Sequence, residues 1–138
     1  MRKEFIASEE ELIVVVEYLN TLLPKNALIF LRGDLAAGKT TLTKNILASK
    51  GISDGVTSPT FSLQQCYADT IFHYDLYRIE NEEFMELGLF EEFDKEGWHF
   101  IEWGDDTLKT FLENIGYEIF TVEITSYEDK RKYRIEKS

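Results

Sequence analysis

The sequence predicts a small α/β domain, with a mixed central sheet flanked by helices and a C-terminal antiparallel hairpin. Three observations predict it. The run "ALIFL" (27–31) is continuously apolar, as expected of a strand buried on both faces of a parallel sheet. A glycine-bearing loop and a helix-like segment, "TTLTKNILASKG", follow at once. Near the end, "YEIFTVEIT" and "KRKYRIEK" alternate polar and apolar residues around "SYED", the pattern of a half-buried hairpin.

The other elements follow in chain order. "SEEELIVVVEYLNTLLP" (8–24) reads as the first helix. Ser8 and Glu11 form a capping-box pattern, and Leu12, Val15, Val16, Leu19, Leu22 and Leu23 keep helical spacing until Pro24. "ISDGVTSPT" (52–60) is a loop by composition. "FSLQQCY" and "TIFHYDLY", separated by Ala68 and Asp69, predict a hairpin, with Cys66 as a small buried hydrophobe. "NEEFMELGLFEEFD" predicts one helix weakened at Gly88. "WHFIEW" (98–103) is a second buried strand, and 105–115 a short helix. With no linker, repeat or low-complexity segment, residues 1–138 read as a single domain.

Charge narrows the function. Fifteen Lys and Arg against 26 Asp and Glu leave a net charge of -11. An extensive phosphate footprint on nucleic acid needs a basic face, so little direct nucleic-acid binding is expected. Between Glu80 and Asp106 eleven acids stand against Lys95 alone. That run reads either as a solvated face or as a docking surface for a basic partner. The N-terminus carries glutamates where a signal peptide needs an apolar run, and no apolar stretch approaches the roughly 20 residues of a membrane span. The expectation is a cytoplasmic protein, which removes an adhesive role for the "RGD" at 32–34.

The chemistry begins in "LRGDLAAGKTTL". Gly33 to Thr40 fits G-x-x-x-x-G-K-[ST], and it lies between a strand and a helix, the order a phosphate-cradling loop requires. Backbone N–H groups of such a loop point at phosphate oxygens, and the helix dipole adds to them. Lys39 is expected at the β- and γ-phosphates, the Thr40 hydroxyl on Mg²⁺, and Thr41 on the α-phosphate side.

Such a loop needs an acid opposite it. Glu102, at the end of "WHFIE", stands where ligands collect in α/β sheets. It is expected to reach Mg²⁺ directly or through water; the alternative is a surface glutamate at a strand end. Along "IFHYDLY", period two puts Ile71, His73, Asp75 and Tyr77 on one face. Asp75 either supports the metal or positions the attacking water, or it pairs with Arg78. His73 reads as a hydrogen-bonded structural histidine. The hydroxyls of "TSPT" (57–60) either sense the γ-phosphate or form a plain turn.

Taken together, "GDLAAGKTT", "TSPTFSL", "FHYDLYR", "EEFMELGLFEEF" and "IEW" resemble one family in order and spacing, from roughly residue 8 to residue 104. It is the bacterial ATPase family TsaE, formerly YjeE or YdiB. The resemblance implies a P-loop NTPase fold, ATP with Mg²⁺ as cofactors, and slow hydrolysis. It implies support of threonylcarbamoyl synthesis on adenosine 37 of certain tRNAs beside the TsaD and TsaB proteins, where ATP turnover resets the complex. The family does not itself transfer the carbamoyl group. Its nucleotide-binding loop matches Gly33, Asp34, Leu35, Ala36, Ala37, Gly38, Lys39, Thr40 and Thr41. Its magnesium ligands match Thr40 and Glu102, its important aspartate Asp75, and its switch-like loop Thr57, Ser58 and Thr60. An N-terminal acid that borders the adenine matches Glu9 by position. Ala36 departs from the family's usual glycine. Two other functions fit a phosphate loop: a nucleotide switch with negligible turnover, and a small-molecule kinase. The kinase reading suffers from the scarcity of arginine after Asp75.

Overall fold

The computed structural model describes residues 1–33, 38–52, 64–68, 70–77 and 79–137. Seven strands form one sheet: β1 Arg2–Ala7, β2 Ala27–Arg32, β3 Gln64–Tyr67, β4 Ile71–Asp75, β5 Trp98–Glu102, β6 Ile119–Tyr127 and β7 Lys130–Lys137. Their order is β1-β7-β6-β2-β5-β4-β3. β6, β2, β5 and β4 run parallel, while β1, β7 and β3 join antiparallel at the two sides.

The continuous apolar run explains the central position of β2. Ala27, Leu28, Ile29, Phe30 and Leu31 are all buried, because both faces of the strand are covered. On one face lie α1 Ile13–Leu22 and α2 Lys39–Ser49, packing Leu12, Val15, Val16, Leu19, Leu42, Ile46 and Leu47 against Ile29, Leu31 and Phe100. On the other lie α3 Asn81–Glu86, α4 Leu89–Glu92 and α5 Asp106–Asn114, with Phe84, Leu108 and Leu112 against Leu28, Phe30 and Ile101. A fully buried side chain of this size contributes about 1.5–3 kcal/mol relative to exposure.

The capping box forms as read. Ser8 N–H donates to Glu11 Oε1 at 3.0 Å, and Glu11 N–H donates to Ser8 Oγ at 3.3 Å. It closes a turn at 8–12, and the regular helix starts only at Ile13. Both expected hairpins are present, through Tyr67↔Ile71 and Tyr127↔Lys130. The C-terminal strands extend further into "SYED" than the alternation indicated.

Three expectations are corrected. The single helix over 81–94 is two short ones, because Gly88 turns left-handed at φ 72° and ends the first helical path. Cys66 is exposed, since its strand is the sheet's edge. The strand β1 had no counterpart in the sequence reading. Arg2, Lys3 and Glu4 are exposed, and the strand exists through its ladder to β7.

Candidate nucleotide site

The parallel strands end together, and the carboxyl ends of β2, β5 and β4 bring the candidate residues to one place. Gly33 follows β2, and Gly38 precedes α2 with φ 100°, a left-handed conformation that suits glycine. Leu42 N–H already bonds Gly38 O at 3.0 Å, whereas the first amides of a helix have no partner within it. Lys39 opens α2 and is only 4% exposed. Its Nζ donates to Gly33 O at 2.8 Å, so the ammonium is folded back toward the end of β2. Thr40 and Thr41 occupy the same first turn, half-buried. Among the sequence-derived residues, Asp34, Leu35, Ala36, Ala37, Thr57, Ser58 and Thr60, with Arg78, lie outside the described residues.

Glu102 closes the site from β5. It is buried, with Oε1 at 3.9 Å from Lys39 Nζ and Oε2 bonded to His73 Nε2. That answers the surface-glutamate alternative: the residue is 4% exposed. The register pairs Asp75 with Glu102, so period two places His73, Asp75 and Glu102 on one face. Asp75 is partly exposed, and its Oδ1 accepts from Tyr77 N–H at 3.0 Å. Trp103 comes next in a left-handed conformation, φ 63°, which costs about 1–2 kcal/mol for a residue with a Cβ. The turn lays its ring under Lys39, with Nζ 3.8 Å from the ring centroid. A cleft of about 350 Å³ opens here, between Gly33 and Lys39 on one wall and Trp103 and Asp106 on the other. Arg32 stands at its side, its Nη2 2.7 Å from Asp106 Oδ1; with no aligned hydrogen bond at Nη2, this is an ion pair only.

Sequence reasoning missed Arg131. β7 is antiparallel to β6, so its first residues lie at the same end of the sheet as the carboxyl end of β2. A Cβ placed on Gly38 would collide with the Arg131 guanidinium, which therefore lies directly against Gly38. Read linearly, "KRKYRIEK" marks a hairpin and gives no sign of this approach. The same topology delivers Glu9: Ala7 pairs with Arg131, and the chain leaves β1 at this end. Burial raises the Tyr133 hydroxyl's pKa; a hydrogen bond from Arg131 works against that shift, and the Glu9 carboxylate adds to it. Glu9 itself is exposed.

The donor set bears on magnesium. Among the described residues, no three His, Cys, Asp or Glu side chains cluster so as to hold a metal. Mg²⁺ brought in on phosphates needs only one or two protein oxygens, so Glu102 and Thr40 are a set of the right kind.

The model of the family "TsaE: Threonylcarbamoyl adenosine biosynthesis protein TsaE" matches residues 6–134. The chain belongs to the TsaE family. The match takes in the C-terminal hairpin, beyond the stretch that carried the resemblance in sequence. The tRNA threonylcarbamoyladenosine biosynthesis protein TsaE of Haemophilus influenzae is 39% identical over 85 residues, covering 59% of this chain and 54% of that protein. The Rickettsia conorii protein of the same name is 42% identical over 103 residues, 71% of this chain and 58% of its own length. That of Bacillus subtilis is 45% identical over 76 residues, 53% and 48% respectively. These alignments thus span about half the length of the curated relatives. The crystal structure of Bacillus subtilis YdiB superimposes with a TM-score of 0.73 at 26% identity, over 98% of this chain and 84% of that one. The fold is of the P-loop NTPase type, and the family's role is in tRNA threonylcarbamoyladenosine biosynthesis. No helix among the described residues is long and apolar enough to cross a membrane.

Proposed function

We propose that this protein binds and slowly hydrolyses Mg-ATP in support of threonylcarbamoyladenosine formation on tRNA, working with TsaD and TsaB in the cytoplasm. The observation that carries the reading is the buried Lys39–Glu102 pair, at the start of α2 and the end of β5, with Lys39 lining a cleft. Two opposite charges held at 3.9 Å without a hydrogen bond between them are costly to bury. A phosphate–metal ligand that pairs with both supports the arrangement.

In this reading Lys39 swings from Gly33 O to the β- and γ-phosphates, and the α2 amides hold phosphate oxygens. Magnesium bound with the nucleotide would supply charge neutralisation at its phosphates. Thr40 and Glu102 hold that metal, Thr41 serves the α-phosphate, and Asp75 orients the attacking water. Trp103 supports Lys39, while Arg131 and Glu9 border the nucleotide on the β7 side. Thr57, Ser58 and Thr60 are assigned to sensing the γ-phosphate. The acidic surface keeps tRNA contacts with the partners.

The test is ATP binding and hydrolysis by the protein alone and with purified TsaD and TsaB. Binding with slow turnover that the partners change is expected, and Glu102→Gln should bind ATP yet hydrolyse it at least about tenfold more slowly. No ATP binding, or undiminished hydrolysis by the variant, would reject the assignment.

A further inference from the structure

Glu102 divides its two oxygens between two neighbours. Oε1 faces Lys39, and Oε2 is bonded to His73 Nε2. His73 is completely buried in the middle of β4, so water does not compete for this bond. A carboxylate oxygen only accepts, so the proton of the bond sits on Nε2. In the neutral ring Nδ1 then carries a lone pair. Nδ1 has no hydrogen-bond partner among the described residues. A histidine serving the core alone would gain by satisfying both nitrogens, since buried polar atoms generally find partners. This one makes a single bond, and it makes it to the site's carboxylate.

The bond has a geometric consequence. A glutamate side chain rotates about three bonds, and an unrestrained Glu102 would close on the Lys39 ammonium into a full hydrogen-bonded pair. Held through Oε2, the carboxylate stays at 3.9 Å, and Lys39 bonds Gly33 O instead. One oxygen is anchored; the other is directed into the site.

We infer that His73 is a positioning residue for Glu102, its Nε2–H fixing Oε2 so that Oε1 is presented to Lys39 and to the cation that accompanies the phosphates. This rests on the Mg-ATP reading above. Groups that orient a metal-ligating side chain typically matter by about 10- to 100-fold in metal affinity or activity.

The experiment compares wild type, His73→Phe and His73→Gln, whose amide can return an N–H toward Oε2. ATP affinity is measured with Mg²⁺ and with EDTA, kcat and KM are measured separately, and each protein is melted without nucleotide. His73→Phe should lose about 10- to 100-fold in the gain that Mg²⁺ gives to ATP affinity, and a similar factor in kcat. Its affinity in EDTA should stay at the wild-type value, and His73→Gln should recover much of the loss. A merely structural role would lower the melt while leaving the magnesium gain equal in all three proteins, and that result overturns the inference. So does His73→Gln behaving no better than His73→Phe. If neither variant folds, ¹⁵N shifts of the histidines in the nucleotide-free wild type decide it. The Nε2–H tautomer at His73 is expected, and Nδ1–H overturns the inference. Wild type that binds no Mg-ATP defeats the site reading and this inference with it, whereas binding wild type with indifferent variants defeats only the role of His73.

Discussion

Two buried histidines, on adjacent strands and opposite faces of the sheet, sit in different kinds of surroundings. His99, on β5, faces α3, α4 and α5. Its Nε2–H donates to Lys95 O at 2.8 Å, and its Nδ1 accepts from the Tyr74 hydroxyl at 2.7 Å. Tyr74 in turn accepts from Gln64 Nε2 at 3.2 Å, and the imidazole stacks on Phe72 with centroids 4.5 Å apart. Every polar atom of that ring is used internally. His73, on β4, faces α1 and α2, holds one carboxylate and leaves a nitrogen without a hydrogen bond among the described residues. Nearby, Lys39 and Glu102 approach without bonding. Internally satisfied polar groups are what a fold needs for stability, while charges arranged short of full pairing are what a site keeps for a ligand. Burial alone does not separate the two, because both histidines are buried.

The sharpest way to break this contrast is to remove a charge from the ligand side. Lys39→Ala should reduce ATP affinity roughly 100-fold, since a hydrogen bond to a charged group is worth about 1.5–3 kcal/mol. The protein should still fold without nucleotide, but with a lowered melt, because the buried Glu102 charge loses Lys39 and keeps only its bond to His73. A calorimetric titration and a thermal scan check both halves. Unchanged affinity would remove Lys39 from the site, and a collapsed melt would move it to the structural side.

The mirror experiment removes one hydroxyl from the satisfied side. Tyr74→Phe leaves the buried His99 acceptor without its donor, while Gln64 Nε2 still donates to Glu92 Oε1, and should cost about 1–3 kcal/mol in urea unfolding. ATP affinity should stay within twofold, roughly the scatter expected for distant, uncoupled sites. A loss of affinity with no loss of stability would reverse the roles of the two faces.

The smallest effect is in pH. Burial lowers the His99 pKa from 6.5, against the Lys95 carbonyl and the Glu92 carboxylate, which act to raise it. In the unfolded chain His99 therefore takes up its proton first, at about 6.5. Its contribution to stability is present above that pH and declines as pH falls from 6.5 toward the lower folded value. Glu11, held down to about 2 by Lys130 and Ser8, adds a separate loss only below 4.5. Denaturant midpoints from pH 8 to pH 5 should be level and then fall; a flat profile to pH 5 would contradict the burial of His99 as a neutral ring.

Much of this was legible in the residues themselves. The buried strand, the glycine loop and the helix after it are local signals, each written in consecutive positions, and period two alone put His73 and Asp75 on one face of β4. The Ser8–Glu11 cap is equally local. What stayed hidden depends on pairing between distant segments. β1 is too charged to be read as a strand and exists because β7 offers it an edge. The two short helices around Gly88 follow from one residue's left-handed turn, which periodicity only flags as weakness.

The sequence by itself determined the chemistry of the candidate site: which residue carries the ammonium, which segments form the strand and the helix on either side of it, and that a carboxylate ends the neighbouring strand. Tertiary structure decided which groups meet. The order β6-β2-β5-β4 sets Glu102 beside Lys39, and parallel register sets Asp75 across from Glu102. The antiparallel return of β7 carries Arg131, more than 90 residues downstream, onto Gly38. Local propensity acts over a few residues, whereas sheet order is fixed by which apolar faces can be buried together, and that is a property of the whole chain.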